Sequence, residues 1–199
     1  MKLYAIILYQ RSGANLKLVA TATNVADFGY FERSSVREFM HFFSKTIGER
    51  TAPGTRNAVS EQAYVFFCHA REDGYTGIVI ADSEYDKRVA FSVITKSLEQ
   101  FTAKYTKETV DRATARDLPF PEIETMLTKY QNPAEADALL RVQRDLDETK
   151  IVLHKTIESV IGRGEKIDNL VERSNDLSAS SKVFFGQAKK ANSQCCIVM

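Results

Sequence analysis

Alternation of apolar and polar residues marks the front of the chain, and a helical period marks its last third. Residues 2–9 and 16–23 alternate and are rich in Leu, Val, Ile and Tyr, with the turn composition Arg11-Ser12-Gly13-Ala14-Asn15 between them. This predicts a hairpin. Residues 62–70 and 75–81 give two more strand runs around Arg71-Glu72-Asp73-Gly74, and residues 55–60 suit a short strand. A helix is predicted from near Ser35, because Ser35-Val36-Arg37-Glu38 has capping-box spacing. Val36, Phe39, Met40, Phe43 and Ile47 then share one face, up to the break at Thr51-Ala52-Pro53-Gly54. Phe42 lies roughly 120° off that face. Two covers suit it: a loop, or a ligand such as a later segment of the chain or a lipid tail. A second helix carries Ala90, Phe91, Ile94, Leu98, Phe101 and Tyr105 on one stripe. Strand runs with helices between and after them indicate an α+β fold. Residues 107–133 hold Pro119, Pro121 and Pro133, and read as a linker with an appended helix over Glu122 to Tyr130.

Asn132-Pro133-Ala134-Glu135 has the residues of a helix start. From there a 3-4-3-4 spacing runs through Leu139, Val142, Leu146, Thr149, Leu153, Thr156, Val160, Arg163, Ile167, Leu170, Ser174, Leu177, Ser181, Phe184, Ala188 and Ala191. All but the threonines, the serines and Arg163 are apolar. The period keeps one stripe facing partner helices in a left-handed supercoil. One helix over 139–191 would be roughly 80 Å long. Burying the Arg163 guanidinium costs several kcal/mol unless polar groups meet it, so it fixes register and partner choice. Periodicity alone leaves a two-stranded coiled coil equally open. Gly162 and Gly164 flank Arg163 and cost an isolated helix about 1 kcal/mol each. The segment is therefore expected to be helical only with partners.

The 199 residues are 44% hydrophobic with a net charge of +1, enough for one domain plus an extension and against bulk attraction to nucleic acid. No apolar run approaches the roughly 20 residues of a membrane span. The opening apolar run is too short for a typical signal peptide. Three cysteines, two adjacent, make no disulfide framework, and a reducing cytosol fits best.

Leu146-Asp147-Glu148-Thr149-Lys150 through Arg163-Gly164-Glu165-Lys166-Ile167-Asp168-Asn169-Leu170 resembles the R-SNARE motif of the synaptobrevin class. The resemblance implies that Arg163 is the zero-layer residue, meeting three glutamines from three Q-SNARE helices (Qa, Qb and Qc). The other seam positions become the layers on either side. Phe28-Gly29-Tyr30-Phe31-Glu32-Arg33-Ser34-Ser35-Val36, followed by Glu38-Phe39-Met40, resembles the entry into the first helix of a longin domain. Ala81-Asp82-Ser83-Glu84-Tyr85 and Tyr130-Gln131-Asn132-Pro133 are also similar. That implies a profilin-like, five-stranded antiparallel sheet with flanking helices. The expected organisation is a longin domain plus linker over 1–131, an R-SNARE coiled coil over 132–193 and a tail over 194–199.

The tail Cys195-Cys196-Ile197-Val198-Met199 reads as a prenylation signal, with farnesyl expected on Cys196. One isoprenoid binds membranes marginally, and Cys195 offers a second site for palmitoyl or another prenyl group. Lys182, Lys189 and Lys190 add weak attraction to anionic lipid. The chain is thus similar to the prenylated longin R-SNAREs. They drive fusion at endoplasmic reticulum–Golgi, intra-Golgi, endosomal, vacuolar and autophagosomal membranes, and cycle through the cytosol. In the cytosol the longin domain and the folded-back SNARE segment are expected to shelter the lipid, with Phe39, Phe42 and Phe43 as candidate lining. Ser174 and Ser181 are candidate phosphosites: a phosphate would put charge into a packed layer. Small serines also simply fit narrow layers.

No enzyme is expected, and no cofactor beyond covalent lipid. Cys68 sits in a strand run as a structural cysteine, and His41, His69 and His154 lack ligand spacing. The phosphate-binding glycine loop of a small GTPase is missing from the sequence. A lipid-anchored longin-type adaptor is the remaining alternative, and it would need no zero-layer arginine.

Overall fold

Ile6 and Leu8 pack on one side of the first strand, and Ala5, Ile7 and Tyr9 on the other. A period of two with both sets buried means a sheet covered on both faces. The computed structural model describes residues 2–132, 135, 151–162 and 165–195. Strands β1 (Leu3–Ser12) and β2 (Asn15–Thr23) form the first hairpin, whose turn places Gly13 at φ +62°. Strands β3 (Thr55–Glu61), β4 (Tyr64–Ala70) and β5 (Tyr75–Asp82) form a meander. These five are antiparallel, in the order β2-β1-β5-β4-β3. A sixth strand, β6 (Ile151–His154), lies parallel to β3 at the far edge. The sheet is therefore six-stranded and mixed. The expectation of five antiparallel strands missed one supplied by the repeat.

Helix α1 (Arg33–Arg50) covers one face, burying Met40 and Ile47 over Ile7, Ile78 and Ile80. Helix α2 (Lys87–Lys104) covers the other with Phe91, Ile94, Leu98 and Phe101. Gly77 lets it come close: a Cβ there would stand 2.6 Å from Ile94 Cγ2. The side chain of Asp86 caps α2, accepting from the backbone N–H groups of Arg88 and Val89 at 2.7 and 3.2 Å. The capping box at Ser35-Glu38 is not used. Helix α1 starts two residues earlier with no side-chain cap, Ser35 is buried in its first turn, and Glu38 is engaged elsewhere.

The proline-bearing stretch is packed rather than a free linker. It forms α3 (Lys107–Arg112), a 3-10 turn (Ala115–Asp117) and α4 (Glu122–Lys129). Val110, Leu118, Phe120, Ile123, Met126, Leu127 and Tyr130 join the core under α2. Tyr85 donates its hydroxyl to Tyr130 O at 3.0 Å, and Gln131 bonds both backbone groups of Leu3. Prolines signalled irregular backbone, and apolar residues spaced without one period still filled the core.

Among the described residues the segment does not form the one helix over 139–191 that is expected only with partners. After β6 come three separate helices, α5 (Glu158–Ile161), α6 (Ile167–Arg173) and α7 (Ala179–Cys195). Gly162, at φ +108°, follows α5 directly. A glycine reaches that conformation without the penalty that other residues suffer. Among the described residues no helix is long and apolar enough to cross a membrane.

Candidate functional site

The repeat segment lies against α1 and the edge of the sheet. Ile151–His154 pair with Arg56–Val59, and the Glu61 carboxylate accepts the N–H of Ile157 at 3.1 Å. Ile157 and Ile161 are buried in the core beneath α1. Neither belongs to the heptad seam. Leu153, which does, is 69% exposed, and Thr156 also faces solvent. At Leu153 and Thr156 the seam is not hidden. Leu153 lies in a strand, and a strand cannot present a helical stripe.

Further along, several seam positions are covered. Leu177, with off-seam Val171, packs on Phe42, which is only 8% exposed. Phe184 and Phe185 face Phe39 with ring centroids 6.5 and 5.6 Å apart. Val160, Ile167 and Leu170 are half-buried, and Ser181 is fully buried. The residues that pack on Phe42 thus come from the repeat segment. Ala188 is exposed, and Ser174 is half-buried, its hydroxyl accepting the N–H of Asp176.

Polar contacts brace the same interface. Glu38 accepts the N–H of Ser178 at 2.8 Å, and Lys45 pairs with Asp176 at 2.8 Å. Arg50 donates to Ile161 O at 3.3 Å and to Glu165 at 3.0 Å, and Arg173 approaches the same carboxylate at 3.5 Å. Lys189 pairs with Asp168. Partly exposed pairs of this kind contribute roughly 0–1 kcal/mol each, so they orient the segment more than they hold it. The apolar contacts carry most of the stability.

A cavity of about 790 Å³ remains between the two layers. Its walls are mostly apolar: Val36, Phe39, Met40 and Phe43 from α1, Phe66 and Ile80 from the sheet, Ile157, Ile167, Phe184 and Phe185 from the repeat. Polar groups, among them Glu61, Glu158, Asp168 and Lys189, also border it. Of the phenylalanines singled out for lipid sheltering, Phe39 and Phe43 line the cavity and Phe42 does not. Cys68 is buried, and burial pushes its thiol up to about 12, leaving no thiolate for chemistry at neutral pH.

Several expected positions fall outside the described residues: Leu139, Val142, Leu146, Thr149, Arg163 and Cys196. Of Ala191 and Cys195 only the backbone, in α7, is described. Glu38, Lys45, Arg50, Ile157, Ile161, Val171 and Phe185 were missed by sequence reasoning. The available signal was an excess of apolar residues off the seam. A four-helix bundle needs one stripe, and a second set implies a second partner.

A family model described as a regulated-SNARE-like, or longin, domain matches residues 25–127, and a synaptobrevin model matches residues 138–198. The chain is 48% identical over 198 residues to the synaptobrevin homolog ykt6 of Schizosaccharomyces pombe. It is 44% identical over 201 residues to the homolog YKT6 of Saccharomyces cerevisiae and 46% over 201 residues to that of Eremothecium gossypii. Each alignment covers 100% of both chains.

Proposed function

Since the chain belongs to the longin-domain R-SNAREs of the synaptobrevin family, non-enzymatic proteins of vesicle trafficking, we propose that it alternates between the folded-back form described above and an open form that zips with three Q-SNARE helices. In the open form residues 139–191 become one helix. Arg163 meets the glutamines of the zero layer, and the layers close toward the lipid-bearing tail, drawing two membranes together. Each buried Leu, Ile or Val contributes roughly 1.5–3 kcal/mol before ordering entropy is subtracted.

The observation that carries this reading is the backbone of 151–154. Those residues form a strand on β3 while carrying a seam position, Leu153. The same residues cannot be in β6 and in a four-helix bundle, so the longin domain and the Q-SNAREs compete for them. The resting form is autoinhibited, and assembly must exceed the stability of the closed interface.

Lipid on Cys196, with a second chain on Cys195, anchors the active form at the cytosolic face of trafficking membranes. In the closed form the apolar cavity beside Phe39 and Phe43 shelters an isoprenoid. Exposed hydrocarbon is unfavourable by about 0.8 kcal/mol per CH₂, which supports a soluble pool only if the chain is covered.

The test mixes the full chain with candidate Q-SNARE sets and scores an assembly resistant to heat and detergent. Wild type should assemble with one set, and Arg163→Ala should weaken that assembly. An adaptor would be unaffected by Arg163→Ala in its binding and would form no such assembly with any set.

A further inference from the structure

Tyr30 and Phe31 are the most exposed large apolar side chains among the described residues, at 78% and 93%. Their rings stand edge to face with centroids 5.4 Å apart. Single exposed apolar residues need no explanation. An adjacent aromatic pair held up by a braced turn does. Arg33 forks to Phe28 O and Ala26 O at 3.1 and 2.9 Å. The N–H of Gly29 donates to Glu32 Oε2 at 3.3 Å, and those of Glu32 and Arg33 close back on Gly29 O at 2.9 and 3.2 Å. The turn is preorganised, so presenting the rings to a partner costs little further ordering.

Its position is also specific. Phe28, just before the pair, and Val36, in the first turns of α1, both line the apolar cavity. The rings therefore stand on the chain segment that links two parts of that wall. Local charge is mixed: Asp27 is paired with Lys2 at 2.8 Å, while Arg37 is exposed in the next turn. A highly charged partner is not indicated. Tyrosine with phenylalanine, apolar in body and polar at one tip, suits the headgroup boundary of a bilayer.

We propose that Tyr30 and Phe31 form a membrane-contact site, entering the interfacial layer of a phospholipid bilayer. Its use rests on the lipid-sheltering reading: the segment that joins two parts of the cavity wall would then lie against the bilayer that receives the lipid. The contact itself requires no lipid in the cavity. Two rings alone bind weakly, as one acyl chain does. Once the tail is anchored, the high effective concentration makes docking the favoured state.

The chain has no tryptophan, so Phe31→Trp supplies a single reporter at an exposed position. The full-length variant is tethered through its tail cysteines to phosphatidylcholine vesicles bearing maleimide lipid, Cys68 being buried. The expected result is a blue-shifted indole emission, quenched by brominated acyl chains, with quenching reduced several-fold by adding Tyr30→Ser. Emission that stays water-like and unquenched on tethering overturns the proposal, including when a Q-SNARE set shifts it instead. A fluorescent farnesyl-cysteine probe separates this from the cavity reading. Tyr30→Ser/Phe31→Ser should leave probe binding unchanged, and its loss would make the pair cavity wall and overturn the proposal. If wild type fails to bind the probe while lipid quenching persists, the cavity reading falls and the membrane contact stands.

Discussion

Glu38 of α1 accepts the backbone N–H of Ser178 at 2.8 Å, so a longin side chain holds the residue whose own hydroxyl caps the last SNARE helix by accepting the N–H of Ser181 at 3.3 Å. Burial raises its carboxyl pKa, but hydrogen bonds from the Ser178 backbone and from the Ser181 and Ser178 hydroxyls outweigh that. The net effect is a pKa below the ordinary 4.5. The contribution of a depressed carboxylate is present above its unfolded value and lost as pH falls through the folded one.

Glu38→Ala should therefore loosen the start of α7 by roughly 1 kcal/mol, the usual net contribution of a hydrogen bond. Hydrogen exchange at residues 178–185 would report it. As pH drops below 4.5, wild type should lose protection there more than Glu38→Gln does. Equal pH responses would show that the carboxylate charge plays no part.

Phe42→Glu should open the C-terminal half of the interface. It places a carboxylate against Val171 and Leu177, and losing the buried ring alone costs roughly 3 kcal/mol. Limited proteolysis should cut residues 167–185 faster while the sheet and α2 keep their protection. An unchanged cleavage pattern would refute Phe42 as the clasp, as would an unchanged cytosolic fraction of the lipidated variant.

Neighbouring N–H groups of a strand point to opposite edges, so of Val152 and Leu153 only one directs its N–H at β3. Proline removes that donor. Val152→Pro and Leu153→Pro should thus differ in the closed form, one exposing the Arg56–Val59 amides to exchange and the other affecting them less. Equal protection of β3 in both, at the wild-type level, would mean that β6 does not hold the edge.

Ser181→Asp should destabilise the closed form more than Ser174→Asp. Ser181 is 0% exposed and bonds toward Glu38, so a second carboxylate there is both buried and repelled. Ser174 is half-exposed. If the proposed bundle forms, both variants should also weaken assembly with Q-SNAREs, since both positions fall on the heptad seam. Comparing protease sensitivity with assembly yield separates the two effects. It also implies that a kinase reaches Ser181 only after the segment has opened.

Much of the longin fold was legible because its signals are local. Period-two runs became β1, β2, β4 and β5, and the stripe from Ala90 to Phe101 became the buried face of α2. Ser35-Glu38 misled because a capping box competes with whatever else those side chains can reach, and Glu38 reaches Ser178. In residues 107–133 the helix expected over Glu122 to Tyr130 is present as α4, while the linker reading misled because prolines mark irregular backbone without saying whether it is packed.

The heptad over 139–191 by itself determined that this chain is built to join other helices, since a stripe of period 3.5 has no use on a sheet edge. Only the tertiary structure decided where its described residues pack. The outer edge of β3 offers backbone hydrogen bonds to an extended segment, taken by 151–154, and α1 offers Phe39 and Phe42 to off-seam and seam residues alike. Ile157, Ile161 and Val171 fit that surface and carry no period announcing it. The helical period is local, whereas the contacts that fix the packed arrangement are non-local.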